Sequence, residues 1–244
     1  MKRIALIIGS SGSPDEFLPG VEVDVRSYRN FLLSPVGGQW YQNEIITLLD
    51  EDILIVRDAI AKIRNYRPDF AFVVFAGHGY YFTRNTQRVL MVGSDELYEN
   101  ELRKLAPREL LIIDTCAGME KEIYKEEAMV EGLIKTAKFI DYRKIYEEAI
   151  KRCLPQEIIL YGSSPGEYSA DTPRGGLFSK TLLEVAYNNN KFEILTALVA
   201  WKLAAEKVKK LSDGRQNPDY FATVRFGKKL PFSLSLPFSI MDMG

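Results

Sequence analysis

Short apolar runs alternate with amphipathic segments along most of this chain, which is typical of a mostly parallel sheet covered by helices. We predict strands where the apolar run is continuous, and helices where apolar residues recur every three or four positions. The predicted strands are residues 3–8, 44–49, 70–76, 110–113, 158–161 and, at one edge, 221–226. The predicted helices are residues 22–33, 53–66, 99–105, 177–187 and 192–211, and residues 80–92 form an irregular excursion or hairpin. The pattern predicts an α/β fold.

Residues 119–156 interrupt this alternation because they are rich in charged residues and prone to form helices. We interpret them as a helical insertion within a single domain that covers residues 1–244. The insertion comes directly after residues 114–118 and contains several lysines and arginines, so it is a candidate cover or cleavable linker. The alternative is a pair of ordinary surface helices, because a charged helix face usually just contacts water. Cys153 lies in an amphipathic part of this region and is interpreted as structural.

The composition narrows the function classes. The 244 residues suit one α/β domain. Because 32 basic residues nearly balance 33 acidic ones, no overall electrostatic field attracts the protein to nucleic acid or to a membrane. No apolar stretch is long enough to span a bilayer, and residues 4–8 are too short for a signal peptide. Two cysteines cannot form a disulfide framework, which favours a reducing compartment, the cytoplasm. A single histidine excludes a multi-histidine zinc site.

The candidate chemistry follows two predicted central strands. His78, the only histidine, comes directly after strand 70–76, and Cys116 comes after strand 110–113. Sites in open α/β sheets gather at the carboxyl ends of strands, and a helix N-terminus there lowers the pKa of a thiol. We predict Cys116 as the nucleophile, His78 as its acid/base partner, and the N–H groups of Gly79 and Cys116 as an oxyanion hole. A lone histidine or cysteine is usually structural, but the two at adjacent strand ends favour catalysis.

The sequences Phe-Ala-Gly-His-Gly at 75–79 and Asp-Thr-Cys-Ala-Gly at 114–118 resemble the histidine and cysteine motifs of the caspase/metacaspase clan, the peptidase C14-like cysteine peptidases of prokaryotic type. Further similarities follow in the family's order at residues 18–24, 161–169, 176–179 and 216–218. The resemblance implies a three-layer caspase-like fold, with a mostly parallel six-stranded sheet flanked by helices. It also implies a cysteine endopeptidase. Ala117 departs from the metacaspase pattern, in which histidine is usual at this position.

The resemblance also implies a substrate preference. Caspases hold a substrate aspartate with two arginines and a glutamine, and this chain has Asp24, Asp114 and Asp171 in the corresponding places. Metacaspase-type members carry aspartates at the first two of these positions and cleave after arginine or lysine. Ser164 lies in the segment 161–169, which resembles the lining of the family's substrate groove. We therefore expect Asp24, Asp114, Ser164 and Asp171 to bind the substrate.

No cofactor is expected, and no metal site is predicted. Calcium dependence stays open, with Asp95, Glu96 and Glu99 as candidate ligands. The expected partner is a protein or peptide substrate, with a regulatory protein as a further candidate and neither nucleic acid nor membrane.

Two other functions compete with a peptidase. The first is a catalytically idle caspase-like module that serves protein interaction. The second is a nucleotide-binding α/β protein that uses residues 9–13, Gly-Ser-Ser-Gly-Ser, as a phosphate loop. This loop follows a predicted strand, but it carries neither the lysine of a P-loop nor a full dinucleotide fingerprint.

Overall fold

The computed structural model describes residues 1–82, 87–115, 140–224 and 230–243. The strands of this part of the chain are β1 (Arg3–Ser10), β2 (Ile45–Leu49), β3 (Phe70–Gly77), β4 (Gly79–Phe82), β5 (Gln87–Val92), β6 (Asp95–Tyr98), β7 (Arg108–Thr115), β8 (Gln156–Tyr161), β9 (Ile194–Thr196), β10 (Asp219–Val224) and β11 (Pro237–Ile240). The helices are α1 (Gly20–Leu33), α2 (Ile53–Tyr66), α3 (Tyr142–Arg152), α4 (Leu177–Tyr187) and α5 (Ala197–Leu211). Short 3-10 turns lie at Pro14–Glu16, Gln42–Glu44, Glu99–Leu102 and Phe232–Leu234.

Six of the described strands form the central sheet, in the order β10-β8-β7-β3-β1-β2. All neighbours in this sheet are parallel except β10, which pairs antiparallel with β8 at one edge. The prediction of a mostly parallel six-stranded sheet between helices is therefore confirmed.

Burial on both faces explains why the central strands are continuously apolar. Every residue of β1 and β3 is buried, and alternate side chains enter two separate apolar clusters. Phe72 packs with the face that α1, α4 and α5 cover, whereas Val73 packs with the face that α2 covers. The α2 helix buries Val56 and Ile60 against the sheet. Its N-cap residue is Asp52, whose carboxylate accepts a hydrogen bond from the Leu54 N–H at 2.7 Å. The sheet is the middle of three layers.

Two predicted helices are shorter in the structure. Residues 192–196 do not belong to α5, because β9 pairs antiparallel with β11, a strand the sequence analysis did not predict. The helix predicted at 99–105 is only the 3-10 turn Glu99–Leu102. The N–H groups of Lys104 and Leu105 instead donate to the Glu109 carboxylate, at 2.9 and 2.5 Å, which ends the turn. In both places a group outside the predicted helix binds its backbone: the strand β11 in the first case and the Glu109 carboxylate in the second.

The predicted insertion 119–156 is described only from residue 140 onward, and residues 119–139 lie outside the described residues. Its later part forms α3, which buries Tyr142, Tyr146 and Ile150 in the apolar cluster beneath α1. α3 is thus one of the helices that cover the sheet. Cys153 ends α3 and is half-buried, and its thiol donates to the Ala149 carbonyl at 3.4 Å. This contact agrees with a structural role.

β3 runs through His78 into β4, which starts a second, three-stranded antiparallel sheet in the order β4-β5-β6. This arrangement places a hairpin at the carboxyl edge of the central sheet, beside the end of β7. In the described ranges we find no helix with the length and apolar character needed to cross a membrane.

Candidate active site

His78 is held in one orientation by the backbone of a neighbouring loop. Its Nε2 atom lies 2.6 Å from the carbonyl oxygen of Glu16. A carbonyl can only accept, so Nε2 carries the hydrogen, and in the neutral ring the Nδ1 atom is left with a free lone pair. The side chain is half-buried. The histidine is thus fixed at one nitrogen, and its other nitrogen can exchange a proton.

Strand register brings the segment before the predicted nucleophile next to this histidine. In the parallel pairing of β3 with β7, Gly77 lies opposite Thr115. A Cβ atom on Gly79 would lie 2.7 Å from Thr115 Cγ2, so the close approach of the two segments requires glycine. Cys116, the next residue, lies outside the described residues. Its roles as nucleophile and oxyanion donor, like the oxyanion role of Gly79, stay predictions.

The three predicted pocket aspartates come together from separate elements. Asp114 ends β7, and Asp171 lies in the loop after β8. Asp24 lies in the first part of α1, within the predicted helix 22–33, and is buried. Asp24 Oδ2 accepts a hydrogen bond from the Gly176 N–H at 2.9 Å. A Cβ atom on Gly176 would lie 2.6 Å from Asp114 Oδ2 and 3.1 Å from Asp24 Oδ2, so both carboxylates border this glycine.

Two oxygens of these carboxylates have no hydrogen-bond partner in the part of the chain that the structure describes. Asp114 is only 1% exposed, and its Oδ2 accepts from the N–H and the hydroxyl of Ser179 at 2.9 and 2.7 Å. Asp171 is 5% exposed, and its Oδ2 accepts from the Gly20 N–H at 3.2 Å. Among the described residues, no group donates a hydrogen bond of ordinary geometry to Asp114 Oδ1 or Asp171 Oδ1, although the Ser169 hydroxyl and the Thr172 N–H lie near enough to stabilise these two carboxylates. Buried acceptors without donors are rare, and they mark a place where a ligand could supply the donors.

Burial and mutual repulsion destabilise the charged forms of these acids. Burial raises the pKa of Asp24 well above its usual range, and the nearby charge of Asp114 raises it further. Burial also raises the pKa of Asp114, although the hydrogen bonds from Ser179 oppose the shift. Burial raises the pKa of Asp171 to about 6, where the Gly20 N–H and His78 oppose the shift and the charge of Asp114 adds to it. A cation placed among these groups would relieve the repulsion.

Ser164, the fourth predicted pocket residue, donates its hydroxyl to the Asn217 carbonyl at 2.9 Å, in the segment that precedes β10. Its role in substrate binding stays a prediction. The same loop rests on Gln216, which is 1% exposed and donates to the Gly162 carbonyl at 2.7 Å. Gln216 also accepts from the Ala170 N–H at 3.1 Å. The sequence analysis noted the segment 216–218 but did not predict this supporting contact.

The candidate calcium ligands do not converge. Glu96 accepts hydrogen bonds from two tyrosine hydroxyls, Glu99 is paired with Arg103 at 3.4 Å, and Asp95 is exposed on β6. Within the described ranges, no three acidic, histidine or cysteine side chains are grouped as a metal site would require.

The loop at residues 9–13 is unsuited to a phosphate. Its Ser11 N–H donates to the Asp50 carboxylate at 2.7 Å, so a negative charge already occupies the place an anion would need. This contact argues against the nucleotide-binding alternative.

Comparison with known proteins gives a family and several related folds. The sequence model of the caspase domain, Peptidase_C14, matches residues 2–227. Protein GSU0716 from Geobacter sulfurreducens has 18% identity and a TM-score of 0.60, over 96% of this chain and 100% of that one. Caspase-1 from Spodoptera frugiperda has 14% identity and a TM-score of 0.58, over 90% and 86%. The Drosophila initiator caspase Dronc has 12% identity and a TM-score of 0.56, over 95% and 83%. The search of curated proteins gave no match.

Proposed function

This chain belongs to the caspase-domain family of cysteine peptidases, and we propose that it is an active endopeptidase that cleaves proteins after arginine or lysine. The family makes a protein or peptide the expected substrate. The catalytic dyad of Cys116 and His78 and the preference for a basic residue are our proposal.

In the proposed reaction, Nδ1 of His78 takes the proton of the Cys116 thiol, and the resulting thiolate attacks the carbonyl carbon of the scissile peptide bond. The N–H groups of Gly79 and Cys116 stabilise the negative oxygen that develops. His78 then gives a proton to the leaving amine nitrogen as the carbon–nitrogen bond breaks, which leaves a thioester on Cys116. Water then attacks the thioester while His78 accepts a proton from it, the carbon–sulfur bond breaks, and the carboxylic acid product leaves. His78 returns the proton to the Cys116 thiolate, which restores the thiol and the neutral ring. The hydrogen bond between His78 and the Glu16 carbonyl supports this role, because it leaves Nδ1 free for proton transfer.

The preference for a basic residue rests on one observation above all: Asp24, Asp114 and Asp171 are buried together, and among the described residues two of their oxygens lack a donor. A guanidinium carries five N–H donors on a planar fork and can contact more than one carboxylate. The ammonium group of a substrate lysine carries three N–H donors, so it can also bind these carboxylates but makes fewer hydrogen bonds to them. A substrate aspartate would meet only like charges in the same pocket.

A fluorogenic peptide panel that varies only the residue before the scissile bond tests the proposal. We expect turnover with arginine and lysine, poor turnover with aspartate, and none with the Cys116→Ala variant. The idle-module alternative predicts the same folded protein without turnover of any peptide, and without rapid labelling of Cys116 by iodoacetamide. Preference for aspartate would overturn the proposed specificity and leave the dyad intact. Calcium dependence, a regulatory partner, metacaspase type and location in the cytoplasm stay predictions.

A further inference from the structure

A buried arginine joins the histidine hairpin to the loop beside the acidic pocket. Arg88 lies on β5 opposite Tyr81 of β4, the strand that follows His78 directly. It is 8% exposed, and its Nη2 donates to the Ser163 carbonyl at 2.6 Å. Its guanidinium carbon lies 4.3 Å from the centre of the Tyr161 ring, so the cation also stacks on an aromatic face.

Burial of the Arg88 guanidinium is unfavourable, because the charged group loses its hydration. Within the described part of the chain, no carboxylate lies within ion-pair distance of its guanidinium, although the charge of Glu99 acts on it from further away. Burial lowers the pKa of Arg88, which shows that the charged form loses hydration there. An apolar side chain could fill the same space without that cost. The contacts that offset the cost are the Tyr161 ring and the Ser163 carbonyl, and the carbonyl belongs to the loop that follows β8.

This loop forms one wall of the acidic pocket. The Gly162 N–H donates to the Ile113 carbonyl at 2.8 Å, one residue before Asp114. A Cβ atom on Gly162 would collide with Asp114 Oδ1, the oxygen without a donor. A displacement of residues 162–163 would therefore change the space in front of that oxygen.

We propose that Arg88 is a positioning residue for substrate binding: it holds the Ser163 carbonyl and so fixes the pocket wall at Gly162 against Asp114. This inference rests on the proposed function, because it concerns the pocket that takes the basic residue. Arg88 touches no reacting atom. Its effect is expected in the affinity for the substrate cation and not in the chemical step.

The binding experiment uses benzamidine, a small amidinium compound, with the Cys116→Ala protein in isothermal titration calorimetry. Loss of one charge-assisted hydrogen bond and of the wall it supports should weaken benzamidine by about tenfold in Arg88→Met. Arg88→Lys keeps a charged donor without the planar fork and should lose about threefold. The matched control is Arg103→Met, which removes a neighbouring arginine that pairs with Glu157 at 2.7 Å and with Glu99 at 3.4 Å and that makes no ion pair or hydrogen bond to residues 162–163 within the described ranges. The control should bind benzamidine as the parent does.

The turnover experiment uses an arginyl substrate with Cys116 intact. Arg88→Met should raise KM by about tenfold and change kcat by less than about threefold. Unchanged KM and benzamidine affinity in Arg88→Met, or equal losses in Arg103→Met, would overturn the positioning role. Should Arg88→Met fail to fold, Arg88→Lys decides, and parental affinity in that variant would overturn the role. A parent protein that neither binds benzamidine nor cleaves arginyl peptides would instead contradict the proposed function.

Discussion

Replacement of Asp114 by asparagine distinguishes a role of this residue in substrate binding from a role in the stability of the folded protein. The asparagine is nearly the same size, and its carbonyl oxygen can still accept the two Ser179 hydrogen bonds that Asp114 Oδ2 accepts. Its amide nitrogen would then stand where the partnerless Oδ1 now stands. A substrate guanidinium would meet a donor in place of an acceptor, and one negative charge would be lost.

The expected loss is large because Asp114 is 1% exposed, so little solvent screens the interaction. Removal of one partner from a desolvated charge pair costs on the order of 2–5 kcal/mol. Because 1.4 kcal/mol corresponds to a factor of ten, kcat/KM for arginyl substrates should fall by about a hundredfold or more. The protein itself should become more stable at pH 8, because burial disfavours the ionised carboxylate that the asparagine replaces.

The assay combines the fluorogenic panel with thermal unfolding, and Asp15→Asn serves as the control. Asp15 is exposed near the loop that orients His78, so it reports the effect of one lost surface charge. The ratio of arginyl to uncharged substrates should collapse in Asp114→Asn and stay unchanged in Asp15→Asn. An unchanged ratio in Asp114→Asn would refute the pocket assignment. A lower unfolding temperature with parallel losses on all substrates would show that Asp114 is mainly structural.

Three further predictions follow from the site. Cys116→Ala and His78→Ala should each abolish peptide hydrolysis while the circular dichroism spectrum is retained, and turnover in Cys116→Ala within a few-fold of the parent would end the peptidase proposal. Benzamidine affinity of Cys116→Ala should fall as the pH drops from 8 through about 6, because protonation of Asp171 removes a charge that attracts the cation. The Asp171→Asn variant should show a flatter pH profile, and an identical profile would contradict this. Gly176→Ala should raise KM for arginyl substrates, since its Cβ would lie 2.6 Å from Asp114 Oδ2, and an unchanged KM would show that the pocket tolerates displacement.

Helix and strand positions were largely predictable because their signals are local. The α2 helix (Ile53–Tyr66) and the α4 helix (Leu177–Tyr187) have the predicted bounds, since apolar spacing and end signals lie within each segment. β9 and β11 were missed because each is short and is stabilised by a partner about forty residues away along the chain. The helix predicted at 99–105 was too long, because the Glu109 carboxylate that ends the 3-10 turn Glu99–Leu102 lies in the next strand.

The sequence by itself determined the α/β alternation, and it placed His78 and Cys116 after two central strands, because periodicity and strand ends are local properties of the chain. The tertiary structure decided that Asp24, Asp114 and Asp171 are buried close together, and that two of their oxygens lack a donor among the described residues. It also decided that the Glu16 carbonyl orients His78 and that Arg88 holds the Ser163 carbonyl. These contacts join residues up to about 150 positions apart, and many involve backbone atoms, which carry no residue-specific signal.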